Sequence, residues 1–176
     1  LLGTQMIAKG LDFPNVTLVG VINADTALHL PDFRASERTF QLVTQVAGRT
    51  GRGDKGGRVW VQTFNPDHDA IVAASRHDYT GFAMKEIPLR KAFSYPPFSK
   101  MVRLIVRGLD EAAARAYTET LAESLKLGIQ SRSLDARLLG PAAAPIARLR
   151  GFYRFHLQLQ SPDGNAIRGL VHDITA

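Results

Sequence analysis

The segment Val16 to Ile22, VTLVGVI, is almost entirely apolar and rich in β-branched residues. Such a run is typical of a strand that is buried on both faces of a parallel sheet. Working outward, apolar residues at helical spacing predict a helix over Ala35 to Gly48, with Ser36 near its start as a candidate cap. A second strand is predicted over Arg58 to Phe64, RVWVQTF. Strands that alternate with helices indicate an α/β layer architecture.

The chain is predicted to hold two folded regions that are joined by a proline-rich linker. Short helices are predicted over Asp69 to Ser75 and Asp78 to Ile87, and they close a first region of residues 1–87. Three prolines in Pro88 to Phe98, PLRKAFSYPPF, argue against a continuing helix and favour an ordered linker. Residues 99–176 then form the second region.

The second region is predicted to be a small α+β domain. Its elements are a strand Lys100 to Arg107, a helix Asp110 to Leu127, a Pro-rich turn Gly140 to Pro145, a strand Phe152 to Gln160 and a helix Asn165 to Thr175. The charge is concentrated here. Residues 99–176 hold 11 Lys and Arg against 7 Asp and Glu, whereas residues 1–98 hold 11 against 9. The overall charge of +6 agrees with a polyanionic partner without establishing one.

Composition excludes several classes of protein. The 176 residues contain no cysteine, so disulfides and thiolate metal sites are excluded, and no other metal ligand set is predicted. No apolar run approaches the roughly 20 residues that span a bilayer, so no membrane partner is expected. The chain starts Leu1-Leu2-Gly3, with neither a Met nor a basic segment, which argues against a signal peptide. We expect it to be a piece of a longer protein.

Alternation in the second region assigns side chains to two faces of its sheet. The apolar face is predicted to hold Val102, Leu104, Val106, Tyr153, Phe155, Leu157 and Leu159. The opposite face is predicted to hold Arg103, Arg107, Arg154, His156, Gln158 and Gln160, flanked by Arg148 and Arg150. Arginines near aromatic residues are typical of single-stranded nucleic-acid sites. The alternative is a solvated face whose arginines keep an exposed strand soluble, and His156 is interpreted only as a surface residue.

Two segments carry the patterns that point to chemistry. Gly3 to Pro14, GTQMIAKGLDFP, places Thr4, Gln5, Lys9 and Asp12 around Gly10, and such a loop can offer N–H groups and a hydroxyl to a phosphate. An ordinary strand-to-helix connection explains it equally well.

The second segment is Gln45 to Arg52, QVAGRTGR, where two arginines lie three apart among glycines. Guanidinium groups are always charged and fork towards phosphate oxygens. A helix C-terminus that uses Arg49 and Arg52 against its dipole would explain one Gly and one Arg. It does not explain the second Gly-Arg pair or Gln45.

Together these segments resemble motifs V and VI of superfamily 2 helicases, the latter having the pattern QxxGRxGR. The sequence resembles primosomal replication-restart DNA helicases in particular at four places. These are GTQMIAKGLDFP, the sequence Asn23-Ala24-Asp25, the DFRASER stretch at Asp32 to Arg38 and the YPPF at Tyr95 to Phe98. The resemblance implies that residues 1–87 are part of the second RecA-like helicase domain, a partial parallel sheet with flanking helices, followed by the small α+β domain.

The resemblance also implies roles for individual residues. Arg52 would be the arginine finger and Arg49 its companion phosphate or inter-domain contact. Gln45 would help to sense the nucleotide, Gly10 would lie beside it, and Asp12 would contact ribose or brace the two arginines. Thr4, with Gln5 and Lys9 beside it, would hold the DNA strand. Arg103, Arg107, Arg148, Arg150 and Arg154 would also bind DNA.

ATP and Mg²⁺ are the implied cofactors of the full-length protein, together with zinc held by residues outside these 176. No GxxxxGK[ST] loop is present, and no DEAH-type box, so this chain alone is not expected to hydrolyse ATP.

The implied activity is 3′ to 5′ unwinding of DNA at stalled or branched replication forks in the cytoplasm. Implied partners are forked and single-stranded DNA, the acidic tail of single-strand-binding protein, and proteins of the primosome and helicase loading. Two alternatives remain open, namely another superfamily 2 translocase of the branch-migration type and a nucleic-acid-binding module without a motor.

Overall fold

The computed structural model describes residues 16–48 and 56–176. The chain divides into two compact units, and the boundary lies between Leu89 and Arg90. Residues 3–14, Arg49 and Arg52 lie outside the described residues. The first unit contains β1 Leu18–Val21, α1 Asp25–Leu28, α2 Ala35–Ala47, β2 Arg58–Val61, α3 Asp69–Ser75 and most of α4 Tyr79–Ala92. The second contains β3 Lys100–Gly108, α5 Glu111–Ser131, β4 Arg137–Leu149, β5 Phe152–Ser161 and α6 Gly164–Thr175.

The first unit has the predicted α/β order. Strands β1 and β2 pair in parallel, with Leu18 opposite Arg58 and Val21 opposite Val61. The core beside them is built from α2, α3 and α4, and the rings of Phe40 and Phe82 stack with their centroids 4.8 Å apart. The apolar stripe predicted for α2 therefore faces this core.

Only one face of the β1–β2 pair is covered in the described part of the chain. Val21 and Val61 are half-buried and pack against the core. On the other face Leu18 and Trp60 are 54% and 68% exposed. The prediction that this strand is buried on both faces is therefore wrong here, because an apolar run records the hydrophobicity of a strand but not which elements pack on it.

Ser36 is not the cap of α2. The helix begins at Ala35 after Arg34, and no side chain caps it. Asp32 organises this turn instead, since it accepts hydrogen bonds from the backbone N–H of Arg34 at 3.0 Å and from its Nε at 3.2 Å. Arg38 adds an ion pair to the same carboxylate at 3.2 Å. The DFRASER stretch thus has a structural role at the entry to α2.

Asp25 joins the ends of the two parallel strands. Its buried carboxylate accepts hydrogen bonds from the hydroxyl of Thr63 at 2.7 Å, the N–H of Phe64 at 2.8 Å and the amide of Asn65 at 2.8 Å. The hydrogen bonds from Asn65, Phe64 and Thr63 lower the pKa of Asp25 from 3.8 to about 2. The ionised form is thus specifically stabilised in the fold.

Replacing Asp25 by asparagine is expected to lower the melting temperature of the first unit by more than about 5 °C at neutral pH, because an amide offers one acceptor oxygen to three donors. The folded pKa lies below the unfolded value, so this stabilisation is present above pH 3.8 and is lost as the pH falls towards about 2. Thermal unfolding can be monitored by hydrogen exchange of residues 58–65. The difference in melting temperature between wild type and variant should shrink as the pH falls across that window. Asp67→Asn, at an exposed position, is the control; an equal loss there would contradict the assignment.

The helix predicted to end at Ile87 continues through Pro88 to Ala92. A proline inside a helix leaves the carbonyl four residues earlier, that of Met84, without its usual partner. Met84 and Pro88 both lie at exposed positions, so water can satisfy this carbonyl. The linker prediction is therefore wrong for residues 88–92.

The second unit is a three-stranded antiparallel sheet in the order β3–β5–β4, with α5 and α6 packed on one face. The predicted apolar face is confirmed at its centre, where Leu157 and Leu159 are fully buried against Leu125, Ile167 and Leu170. Val102, Leu104 and Val106 of β3 are partly buried in the same core. Aspartates begin both helices, Asp110 accepting from the N–H of Ala113 at 2.7 Å and Asp163 from that of Asn165 at 2.8 Å.

The segment Gly140 to Pro145 is not a turn but part of the long strand β4. Prolines are tolerated in it because β4 lies at the edge of the sheet and its register shifts twice, after Leu139 and after Ala143. Gly140 has a φ of +94°, and a Cβ there would lie 2.8 Å from the carbonyl oxygen of His156. A Gly-Pro pair therefore marks a bulge here rather than a chain reversal.

Candidate nucleic-acid interface

Positive charge in the second unit is concentrated on the sheet. Residues 100–108 and 137–161 hold seven basic residues and no Asp or Glu. These are Lys100, Arg103, Arg107, Arg137, Arg148, Arg150 and Arg154. The remainder of residues 90–176 holds six basic and seven acidic residues. The strands and their turn therefore carry all of the excess positive charge of the unit.

The face of the sheet opposite α5 and α6 is here called the open face, and it is defined by the pairing of β3 with β5. Arg103 lies opposite Gln158, Ile105 opposite His156 and Arg107 opposite Arg154. Directly opposed residues share a face, so the three predicted arginines Arg103, Arg107 and Arg154 lie together on it. Arg103 and Arg107 are exposed, and Nη2 of Arg103 donates to Oε1 of Gln158 at 3.5 Å.

An arginine–aromatic pair occupies one end of the open face. The guanidinium of Arg107 lies 5.3 Å from the centroid of the Phe152 ring, within cation–π range. Arg154 is held beside it by a hydrogen bond from Nη1 to the carbonyl of Ile146 at 3.2 Å. Phe152 was not among the predicted site residues, although its even-numbered position in β5 already placed it on the face of Arg154.

Arg148 lies on the opposite face from Arg107 and Arg154. It is paired with Tyr153, and its guanidinium lies 5.0 Å from the centroid of that ring. Arg150 lies in the two-residue turn of the β4–β5 hairpin, where Arg150 and Gly151 both have positive φ, as in a type I′ turn. The five predicted arginines are thus not one surface: three share the open face, one lies behind it and one is in the turn.

His156 occupies the middle of the open face and is half-buried there. Burial lowers the pKa of His156 from its usual 6.5, and the positive charge of Arg103 lowers it further. Its Nδ1 is buried without a hydrogen-bond partner. His156 therefore lies on the open face as predicted, although it is half-buried, and its ring contributes surface next to exposed Ile105.

The far end of the open face is covered. Gln160, predicted to be displayed with His156 and Gln158, is buried under the segment Phe93–Ser99. Its Nε2 donates to the carbonyl of Phe93 at 3.2 Å, to the carbonyl of Ser94 and to the Oγ of Ser99 at 3.3 Å. Alternation placed Gln160 on the correct face but could not reveal what lies on top of it.

The residues assigned to nucleotide and to DNA in the first unit fall mainly outside the described part of the chain. These are Thr4, Gln5, Lys9, Gly10, Asp12, Arg49 and Arg52. Gln45 lies in the described part, at an exposed position in the last turn of α2. One amide does not make a nucleotide site. No helix in residues 16–48 and 56–176 is long and apolar enough to cross a membrane.

Comparison with known sequences finds relatives that match residues of both units. Residues 91–176 match the primosomal protein N C-terminal domain. The chain is 46% identical over 174 residues to the replication restart protein PriA of Bacillus subtilis (strain 168), covering 99% of this chain and 21% of that protein. It is 45% identical over 162 residues to PriA of Treponema pallidum (strain Nichols) and 41% identical over 163 residues to PriA of Haemophilus influenzae. These alignments cover 92% of this chain and 24% and 22% of those proteins.

Residues 91–176, which include the basic sheet, thus match the C-terminal domain family of primosomal protein N. The chain matches a C-terminal fragment of the PriA replication restart proteins. It spans about a fifth of the length of the relatives cited above.

Proposed function

We propose that the second unit binds single-stranded DNA along the open face of its sheet. The observation that carries the proposal is the segregation of charge: the strands and their turn hold seven basic and no acidic residues, and Arg103, Arg107 and Arg154 among them share the open face. Affinity for nucleic acid comes mainly from Lys and Arg that neutralise phosphates, and aromatic side chains add stacking. A solvated face would be expected to mix charges of both signs, as the helices of this unit do.

The geometry fits an extended strand. Arg103 and Arg107 lie four residues apart on one face of β3, a separation of about 13 Å. Between them Ile105, 48% exposed, and the half-buried His156 offer apolar surface to a base. Arg107 with Phe152 supplies charge and a ring at one end. Phosphates and bases of a single strand thus have alternating partners along β3.

Substituting Arg103 and Arg107 together by alanine is expected to weaken binding to a 20-nucleotide oligo-dT by about 10- to 30-fold near 50 mM salt. Because each phosphate contact contributes about 0.7 to the dependence of log K on log salt for a single strand, the slope should fall in magnitude by about 1.4. Fluorescence anisotropy across a salt series measures both quantities.

The double variant Lys126→Ala with Arg168→Ala is the matched control. It removes the same charge from exposed positions on α5 and α6. An equal loss of affinity in the control, or wild-type binding by the Arg103 and Arg107 variant, would show that the open face is not the site.

For the whole protein we propose an ATP-dependent 3′ to 5′ DNA helicase that acts in replication restart and uses Mg²⁺. Support comes from the motif pattern around Gln45, Arg49 and Arg52 and from relatives named replication restart protein PriA. The parallel β1–β2 pair with its crossover helix α2 is the local architecture that a second RecA-like domain requires. Arg52 is proposed as the arginine finger, Arg49 as its companion and Gln45 as a nucleotide contact.

The remaining assignments extend the same proposal. Asp12 and Gly10 would contact nucleotide, and Thr4, Gln5 and Lys9 would contact the DNA strand. Zinc would be bound by residues outside these 176. Forked DNA, the acidic tail of single-strand-binding protein and primosome or helicase-loading proteins are the proposed partners. The acidic tail is a competing ligand for the open face, and its displacement of oligo-dT would show that the two share the site.

A further inference from the structure

The segment Phe93–Ser99, here called the connector, is fixed to one end of the open face. Gln160 lies on that face because it alternates with Gln158 and His156, and it donates three hydrogen bonds to the connector. The Oγ of Ser99 also donates to the carbonyl of Ser94. These bonds hold the backbone of Phe93 and Ser94 above the sheet.

The connector is also tied to the end of α4. The N–H of Tyr95 donates to the carbonyl of Arg90 at 2.7 Å, and Nη1 of Arg90 donates to the carbonyl of Pro96 at 3.5 Å. Phe98 donates its N–H to the carbonyl of Tyr95 at 3.0 Å. The connector is therefore a folded turn with a defined backbone and not a loose tether.

Phe93 is exposed although its backbone is fixed. Its side chain is 61% exposed, and its ring lies 5.9 Å from that of Tyr95, centroid to centroid. An aromatic ring that is solvent-exposed on an immobilised backbone loses little entropy when a base stacks on it. Arg103, on the open face, follows the connector by four residues along β3, so a basic residue lies near this end of the face.

We propose that the connector forms one end of the single-strand site, with Phe93 as a base-stacking residue. The inference rests on the proposed binding of DNA to the open face, and it defines one end of the path that the DNA strand follows there. Phe152 with Arg107 would mark the other end. Gln160 acts as a positioning residue, because it reaches the path only through the backbone it holds.

The spacing sets the length of strand that fits. Met101 lies opposite Gln160 and Arg107 opposite Arg154, so the path from the connector to the Phe152 end covers six residue-to-residue steps along β3. At about 3.3 Å per residue this is about 20 Å, or about six stacked nucleotides at 3.4 Å each. We therefore expect a minimal oligonucleotide of about six, with stacking partners at both of its ends.

The test uses the 176-residue chain and oligo-dT strands that carry one 2-aminopurine at successive positions. Phe93→Leu is expected to weaken binding about 5- to 50-fold, as for the loss of one base–aromatic stack. The fluorescence of 2-aminopurine at one terminal position of the strand should be quenched by the wild-type chain and should recover with Phe93→Leu. Phe93→Tyr keeps the ring and is expected to restore both signals.

Tyr117→Leu is the matched control, since Tyr117 is 59% exposed on α5 on the helical side of the unit. Wild-type affinity and quenching in Phe93→Leu, with weakened binding in the Arg103 and Arg107 double variant, would overturn the role of the connector and leave the proposed function intact. Unchanged binding in both variants would overturn the proposed function itself. A loss in Tyr117→Leu as large as in Phe93→Leu would also overturn the connector's role.

Discussion

Replacing Arg52 by alanine in a full-length protein that carries this sequence is expected to lower the rate of ATP hydrolysis by about 10³- to 10⁵-fold. Transfer of the γ-phosphoryl group depends on positioned positive charge, because the protein does little covalent chemistry in the step. In the proposed motor Arg52 supplies that charge as the transition state develops, so nucleotide affinity should change far less than turnover. Steady-state ATPase assays and binding of a fluorescent ATP analogue separate the two effects.

Arg58→Ala is the matched control for this experiment. Arg58 is an exposed arginine at the start of β2, six residues beyond Arg52, and its removal should leave ATP hydrolysis near the wild-type rate. If Arg52→Ala instead lost DNA binding and retained normal ATP hydrolysis, the Gly-Arg segment would be a DNA contact. The alternative of a nucleic-acid-binding module would then be favoured over a motor.

Local patterns predicted most helices and strands of the chain. The helix over Asp69 to Ser75 was predicted to the residue, and α2, β3, β5 and α6 were predicted within one or two residues. Period-two alternation also placed Arg103, Arg107 and Arg154 on one face, because β3 and β5 pair without a bulge. Regular pairing preserves the alternation that the sequence encodes.

The errors share one physical cause, which is that tertiary context overrides a local rule. Pro88 did not end α4, since the unpaired carbonyl lies at an exposed position, and Pro141 did not end β4, since an edge strand tolerates it. Arg148 would lie on the open face if β4 were regular. Between the pairs Ala143–Phe155 and Arg148–Tyr153, β4 has the four residues 144–147 where β5 has only Arg154. β4 therefore has three extra residues, and because this number is odd, Arg148 lies on the face of Tyr153.

The role of Gln160 could not be found by alternation either. Its face was predicted correctly, but its partners are more than 60 residues away along the chain. Nothing in the local pattern of β5 encodes a cover that comes from the connector. The same separation explains why YPPF was interpreted as part of an ordered linker, with no contact to the sheet predicted, although it forms part of the turn that ends the open face.

Replacing Gly128 by alanine is expected to destabilise the second unit by about 1–2 kcal/mol, which is opposite to the usual effect of this change inside a helix. Gly128 lies in α5 where α6 crosses it, and a Cβ there would lie 2.4 Å from Cδ1 of Leu170 and 3.3 Å from Cδ1 of Ile174. Leu170 is fully buried, so its side chain has no free volume to move into. The gain in helix propensity, about 1 kcal/mol, is smaller than this overlap.

Gly169→Ala makes the same chemical change in α6, at a position where nothing lies within 4 Å of the added Cβ. It should stabilise the unit by about 0.5–1 kcal/mol, because alanine loses less backbone entropy on folding. Urea unfolding followed by circular dichroism at the helical band compares the two variants directly. The two changes in unfolding free energy are expected to have opposite signs, because the gain in helix propensity is the same in both variants and only the space beside the helix differs. If both variants were stabilised, α5 and α6 would not be packed this closely.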